Sequence, residues 1–167
     1  QPMTTDEILE RIDSFNCPRL TITGGEPLLQ EETPTLVSML MDKGYHVSVE
    51  TNGSLDVGHL DRRCIKIVDV KCPSSGMQVH NRMENLRVLG PLDQIKFVIA
   101  DRRDFDFSSA IAKRISSEVD AQRIWFSPVN GSLPPDRLAS WMLDSFSHAR
   151  LQLQLHKILW PNADRGI

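Results

Sequence analysis

Gly24-Gly25-Glu26-Pro27 is the stretch of this sequence best suited to chemistry, because it sets a pliant backbone, a carboxylate and a rigid turn within four residues. Two adjacent glycines remove both Cβ atoms, so the chain can take positive φ and bring its amide and carbonyl groups directly against a ligand. Pro27 then fixes φ and stiffens the turn. Further polar clusters follow at intervals: Glu50-Thr51-Asn52-Gly53, Asp69-Val70-Lys71, Ser127-Pro128-Val129-Asn130 and His156-Lys157. Carboxylates, hydroxyls, an amide, an ammonium and an imidazole together can hold a large polar ligand through many hydrogen bonds. Taken singly, each cluster also fits a plainer role. Gly24 to Pro27 can be a strand-to-helix turn, Glu50 a strand end, Lys71 a solvated partner of Asp69, and His156 a packed or solvated histidine.

The elements between these clusters explain why they should meet. Short β-branched runs at 19–23, 46–50, 65–70, 94–99, 124–127 and 151–155 read as strands, and each of the polar clusters follows or closes one of them. Helices are expected between them. Thr4 and Glu7 have capping-box spacing ahead of a helix over 4–15 with Ile8, Ile12 and Phe15 on one face. Thr33 and Pro34 open a second helix that stops at Gly44. A third is expected over 81–89, a fourth on the spacing of Phe107, Ile111, Ile115 and Val119, and a fifth over 135–146. Asp101-Arg102-Arg103-Asp104 reads as a surface loop of self-compensating charge, and Trp125, Trp141 and Trp160 as core and closure. Strands separated by helices imply right-handed crossovers and a parallel sheet, open or curled toward a barrel, whose ligands bind at the carboxyl ends of the strands.

Composition narrows the class. A chain of 167 residues, 40% hydrophobic and 25% charged, is long enough for one domain over 1–167 with its own core. Nineteen basic against 22 acidic residues give a formal charge of −3 with no basic cluster, which argues against nucleic acid or an anionic membrane as partner. No apolar run is long enough to span a bilayer. Three cysteines, Cys17, Cys64 and Cys72, form neither a disulfide framework nor a metal motif, and suit a reducing, cytoplasmic compartment. No metal ligands are expected, since His46, His59, His80 and His148 show no spacing relation to carboxylates or cysteines.

The ordered set Thr21-Ile22-Thr23-Gly24-Gly25-Glu26-Pro27, Glu50-Thr51-Asn52-Gly53, Asp69-Val70-Lys71 with Pro73-Ser74-Ser75-Gly76, Ser127-Pro128-Val129, and Gln154-Leu155-His156-Lys157 before Trp160-Pro161 resembles the 7-carboxy-7-deazaguanine synthases, radical S-adenosylmethionine enzymes of queuosine and deazapurine biosynthesis. The resemblance implies a partial (β/α) barrel with parallel strands and helices outside. It implies that the main chain at Gly24, Gly25 and Glu26 holds the amino group of S-adenosylmethionine, and that Asp69, Val70, Lys71 and the run Ser127, Pro128, Val129 and Asn130 lie along its ribose and adenine. Thr23, Glu50 and His156 would reach the substrate, 6-carboxy-5,6,7,8-tetrahydropterin. The implied reaction is a radical ring contraction with loss of ammonia, using S-adenosylmethionine, a [4Fe-4S] cluster and Mg2+. An electron donor such as flavodoxin and a homodimer are the implied partners.

The family's cluster is held by a three-cysteine loop that has no counterpart here, nor has the strand before it. The sequence is therefore expected to begin inside a longer protein. As given, the chain is expected to be inactive and to self-associate along an exposed sheet edge. Two other readings share part of the pattern: a radical S-adenosylmethionine enzyme of the activase type, and a cluster-free, non-catalytic protein that binds a nucleotide or pterin.

Overall fold

The computed structural model describes residues 3–145 and 149–160, so Phe146, His148 and Pro161 of the reading above lie outside the described residues. Six strands, β1 (Arg19–Ile22), β2 (His46–Thr51), β3 (Ile65–Asp69), β4 (Gln94–Ile99), β5 (Ile124–Pro128) and β6 (Arg150–Leu151), follow chain order across one open sheet. The pairings of β1 with β2, β2 with β3, β4 with β5 and β5 with β6 are parallel. This is the parallel α/β architecture that the alternation of elements demands. The chain divides into two compact units, Gln1–Val68 with Arg82–Asp93, and Asp69–Asn81 with Gln94–Ile167.

In the first unit, Thr4 caps α1 (Thr5–Asp13) as its spacing requires. The Thr4 hydroxyl accepts from Glu7 N at 3.3 Å, and the Glu7 carboxylate accepts from Thr4 N at 2.7 Å. Phe15, expected on the apolar face of this helix, falls beyond its end and is 71% exposed, while Leu9 is the buried residue. Helix α2 (Thr33–Asp42) packs Val37 and Leu40 against Val47 and Val49 of β2, all four essentially inaccessible. Its N-cap is Glu32 and not Thr33, whose hydroxyl instead donates to Pro27 O at 2.7 Å and fastens the helix to the turn before it. Below β3, Asp93 accepts from Lys66 N and Gly90 N, each at 2.7 Å, and lies 3.6 Å from the Lys66 ammonium; both side chains are less than a tenth exposed.

The helix expected over 81–89 does not form. One 3-10 turn, Met83–Arg87, takes its place, after another at Gln78–His80. The reason is Asn85: buried, it donates to Gly53 O and Leu55 O and accepts from Val57 N, and those tertiary bonds hold the backbone out of helical register.

In the second unit, α3 (Arg102–Ile115) and α4 (Pro135–Asp144) present Phe105, Ile111 and Leu138 to the buried Ile95, Phe97 and Ile99 of β4 and Ile124 and Phe126 of β5. Three edge-on or tilted aromatic contacts, Phe97 with Phe126 at 5.6 Å, Phe105 with Phe126 at 5.9 Å and Phe105 with Trp141 at 5.6 Å, give this core its geometry. The charge-compensated stretch at 101–104 is not a loop but the start of α3. Asp101 is the N-cap of α3, accepting from Asp104 N, and Asp104 is fully buried. The sixth strand is also shorter than expected, and Pro128 accounts for it. Gln152 N donates to Phe126 O at 2.9 Å, but Pro128 has no N–H to return, so the ladder stops and residues 155–159 turn into α5 (Leu155–Leu159). Trp160, at its end, is 50% exposed and closes no core.

Candidate functional site

On the first unit, β1 ends in a turn whose glycines both lie in the left-handed region, Gly24 at φ 95° and Gly25 at φ 52°. A Cβ at either would meet nothing within 4 Å, so the conformation and not crowding selects glycine, and the main chain stands open to a ligand. Glu26 makes the turn rigid. Its buried carboxylate accepts from Leu28 N at 3.1 Å, from the Thr51 hydroxyl at 2.7 Å and from Asn52 N at 2.6 Å, tying the turn to the end of β2. The Glu26 side chain therefore serves the protein with both oxygens, and its main chain is what the resemblance assigns to the ligand. Thr23 directly follows β1 and is exposed, and Glu50 lies half-buried on the face of β2 opposite Val47, Val49 and Thr51.

On the second unit, Asp69 ends β3 and Lys71 follows, their side chains paired at 2.7 Å through Asp69 Oδ2. Asp69 Oδ1 is buried and has no hydrogen-bond partner. The Ser127 hydroxyl is in the same condition: Ser127 is fully buried, and its Oγ is unpartnered. Since Ile124 and Phe126 fill the helix-packed face of β5, alternation turns Ser127 to the other face, as it does Asp69 at the end of β3. Two buried polar atoms left without partners at strand ends are costly to the fold. Val70 N donates to Lys96 O and Val129 N to Ile99 O, which fixes both segments to β4.

Beyond β5, a cavity of about 240 Å³ is bounded by Pro128, Asn130, Leu133, Leu153, Gln154 and Lys157. The structure thus brings Pro128 and Asn130 and the segment around α5 to one hollow, which Ser127 and Val129 do not line. His156 is exposed on α5 and does not line it. Larger hollows, of about 490 Å³ beside Asp13 and Tyr45 and about 500 Å³ beside Cys64 and Asp93, open at the N-terminal ends of strands, away from the turns described above. Two side chains that shape the second unit escaped the sequence reading. Asp104 accepts from Ser74 N and Ala100 N, each at 2.9 Å, and from the Ser74 hydroxyl; Asn81 bonds both main-chain groups of Lys71. The capping spacing of Asp101 before an amphipathic run was a signal for the first, whereas nothing local distinguishes Asn81.

Residues 1–81 match the Radical SAM superfamily. Over 179 residues the chain is 37% identical to the 7-carboxy-7-deazaguanine synthase of Koribacter versatilis, an alignment that covers 99% of this chain and 79% of that protein. It is 40% identical over 167 residues to the 7-carboxy-7-deazaguanine synthase of Chlorobaculum tepidum, covering 99% and 76%. The chain belongs to the 7-carboxy-7-deazaguanine synthase family. Its fold is that of the crystal structure of QueE from Escherichia coli, with a TM-score of 0.68 at 19% identity over 91% of this chain and 64% of that one.

Radical SAM enzymes use S-adenosylmethionine and a [4Fe-4S] cluster, and the two fit this chain differently. For the first, each unit by itself offers free polar groups: an open glycine main chain on one, Asp69 Oδ1 and Ser127 Oγ on the other. The cluster finds no ligands: among the described residues no three His, Cys, Asp or Glu side chains stand where they could hold a metal, and this applies to magnesium as well. Cys17 is exposed while Cys64 and Cys72 are buried. Burial pushes the Cys72 thiol up to about 12, with the Asp104 and Asp69 charges adding to the shift against the bond from Ser108, and burial likewise raises Cys64. With one cysteine exposed and two buried, the three do not form a ligand set.

Proposed function

We propose that the full protein carries the activity for which this chain's relatives are named: conversion of 6-carboxy-5,6,7,8-tetrahydropterin to 7-carboxy-7-deazaguanine with release of ammonia. The observation that carries the proposal is the pair of buried, unpartnered atoms, Asp69 Oδ1 and Ser127 Oγ, at the ends of β3 and β5. When bound, S-adenosylmethionine supplies the radical chemistry, and the protein orients and shields it.

In this reading the Gly24 and Gly25 main chain receives the amino acid moiety, and Glu26 acts by bracing that turn. Asp69 Oδ1 accepts from a ribose hydroxyl, and the Ser127 hydroxyl bonds the same nucleoside. Pro128, Val129 and Asn130 flank the adenine, with Val70 and Lys71 holding Asp69 in place. Thr23, Glu50 and His156 hold the pterin, whose ring donors and carboxylate suit a hydroxyl, a carboxylate and an imidazole. A magnesium ion, a flavodoxin-type electron donor, a second copy of the chain as partner and a reducing, cytoplasmic setting complete the proposal; among the described residues no helix is long and apolar enough to cross a membrane.

The test is anaerobic reconstitution of the full protein as encoded, followed by addition of reductant, S-adenosylmethionine and the carboxypterin. The expected result is formation of the deazapurine and ammonia in equal amounts. Reductive cleavage of S-adenosylmethionine that is indifferent to the pterin would contradict the substrate assignment.

A further inference from the structure

Lys71 is the first residue beyond the β3 ladder, and what holds its main chain is a side chain. Asn81 Oδ1 accepts from Lys71 N at 2.9 Å, and Asn81 Nδ2 donates to Lys71 O at 2.8 Å. The amide thereby makes to Lys71 the two-point pairing that a neighbouring strand residue would make. Its orientation is unambiguous, because exchanging its oxygen and nitrogen would set donor against donor and acceptor against acceptor.

Between these two residues the chain runs through the 3-10 turns Pro73–Ser75 and Gln78–His80, with Gly76 at φ 69°. Cys72 is buried at its start, but Met77 and Val79 are 50% and 85% exposed, so apolar burial does not secure its second half. Asp104 fixes Ser74 near one end, and Asn81 closes the neck.

The consequence reaches Asp69. A carboxylate can rotate about χ2, and Asp69 is kept from doing so by Lys71, whose ammonium occupies Oδ2 at 2.7 Å while Oδ1 stays buried and unpartnered. Fixing the Lys71 backbone narrows the positions its ammonium can take. We propose that Asn81 is a positioning residue for cofactor binding: by clamping the Lys71 main chain it sets the Lys71 ammonium on Asp69 Oδ2 and so presents Asp69 Oδ1 to the bound nucleoside. This rests on the reading that Asp69 binds S-adenosylmethionine.

The experiment uses the full protein with S-adenosylhomocysteine as the probe, which needs no reductant, for wild type, Asn81→Asp and Asn81→Ala. Affinity is measured by equilibrium dialysis, unfolding by Tm, and exchange of the Lys71 amide by hydrogen–deuterium exchange without ligand. Asn81→Asp keeps the acceptor but turns a charged oxygen toward Lys71 O. Both variants are expected to bind roughly tenfold more weakly, the loss that one well-placed hydrogen bond brings. The Lys71 amide should exchange faster in Asn81→Ala, with Tm little changed. Wild-type affinity in both variants, or weakening only in step with a fall in Tm, would overturn the positioning role. Failure of the wild type itself to bind the probe would instead overturn the cofactor reading on which the role depends.

Discussion

Glu26 and Asp69 invite comparison. Each is a buried acidic side chain just after or at the end of a parallel strand, Glu26 beyond β1 and Asp69 on β3, yet their oxygens are used differently. Glu26 accepts three hydrogen bonds from Leu28, Thr51 and Asn52. Asp69 gives Oδ2 to Lys71 and leaves Oδ1 buried without a partner. A fold that satisfies one carboxylate completely and another by half separates two roles: Glu26 builds a surface, and Asp69 keeps a bonding position for something else. In the motif Gly24-Gly25-Glu26-Pro27, the conspicuous charge is thus the scaffold, while the glycine main chain is left open for the proposed ligand.

A third carboxylate, Asp93, sets the scale for purely structural loss. It neutralises the buried Lys66 ammonium, so Asp93→Asn should destabilise the protein by about 3–5 kcal/mol in denaturant titration. Glu26→Gln should come next, at about 2–3 kcal/mol, because Nε2 would face a backbone donor; a fall of under about 0.5 kcal/mol would break the distinction drawn between Glu26 and Asp69. Ser127→Ala removes a buried hydroxyl that has no partner, and should leave stability unchanged or raise it by up to about 1 kcal/mol. A loss beyond about 1 kcal/mol would show that the hydroxyl serves the fold.

The cysteines give a smaller effect with a definite sign. In native protein at pH 8, a thiol reagent should modify Cys17, with Cys64 and Cys72 reacting only on unfolding. Cys72 is raised from an ordinary 9.0 to about 12 in the fold, so the folded state keeps a proton that the unfolded state gives up. Its contribution to stability is complete below about 9 and is lost as the pH rises from there to about 12. A flat stability profile over that range would contradict the burial of this thiol.

Much of this was legible in the sequence, for identifiable reasons. The strands and α1, α2, α3 and α4 follow local periodicity and caps, which is why the Thr4–Glu7 box and the Asp101 cap site stand in the chain itself. What failed was decided by distant partners. Asn85 breaks an amphipathic run because its bonds reach Gly53, Leu55 and Val57, and β6 ends early because Pro128 on another strand lacks an N–H. Asp104 looked like half of a compensated surface pair but is buried under bonds from Ser74 and Ala100. The polar clusters at strand ends were visible as residue types. Their division into braces and free acceptors was not, since it depends on which oxygen finds a donor.

The most direct test of that division is the affinity of the full protein for S-adenosylmethionine in wild type, Asp69→Asn and Ser127→Ala, measured by equilibrium dialysis beside the Tm of each. The account predicts that both substitutions weaken binding by about tenfold or more while Tm stays within a few degrees of wild type. Wild-type affinity in both variants would show that the two orphaned atoms are not the cofactor's, and the account would fail.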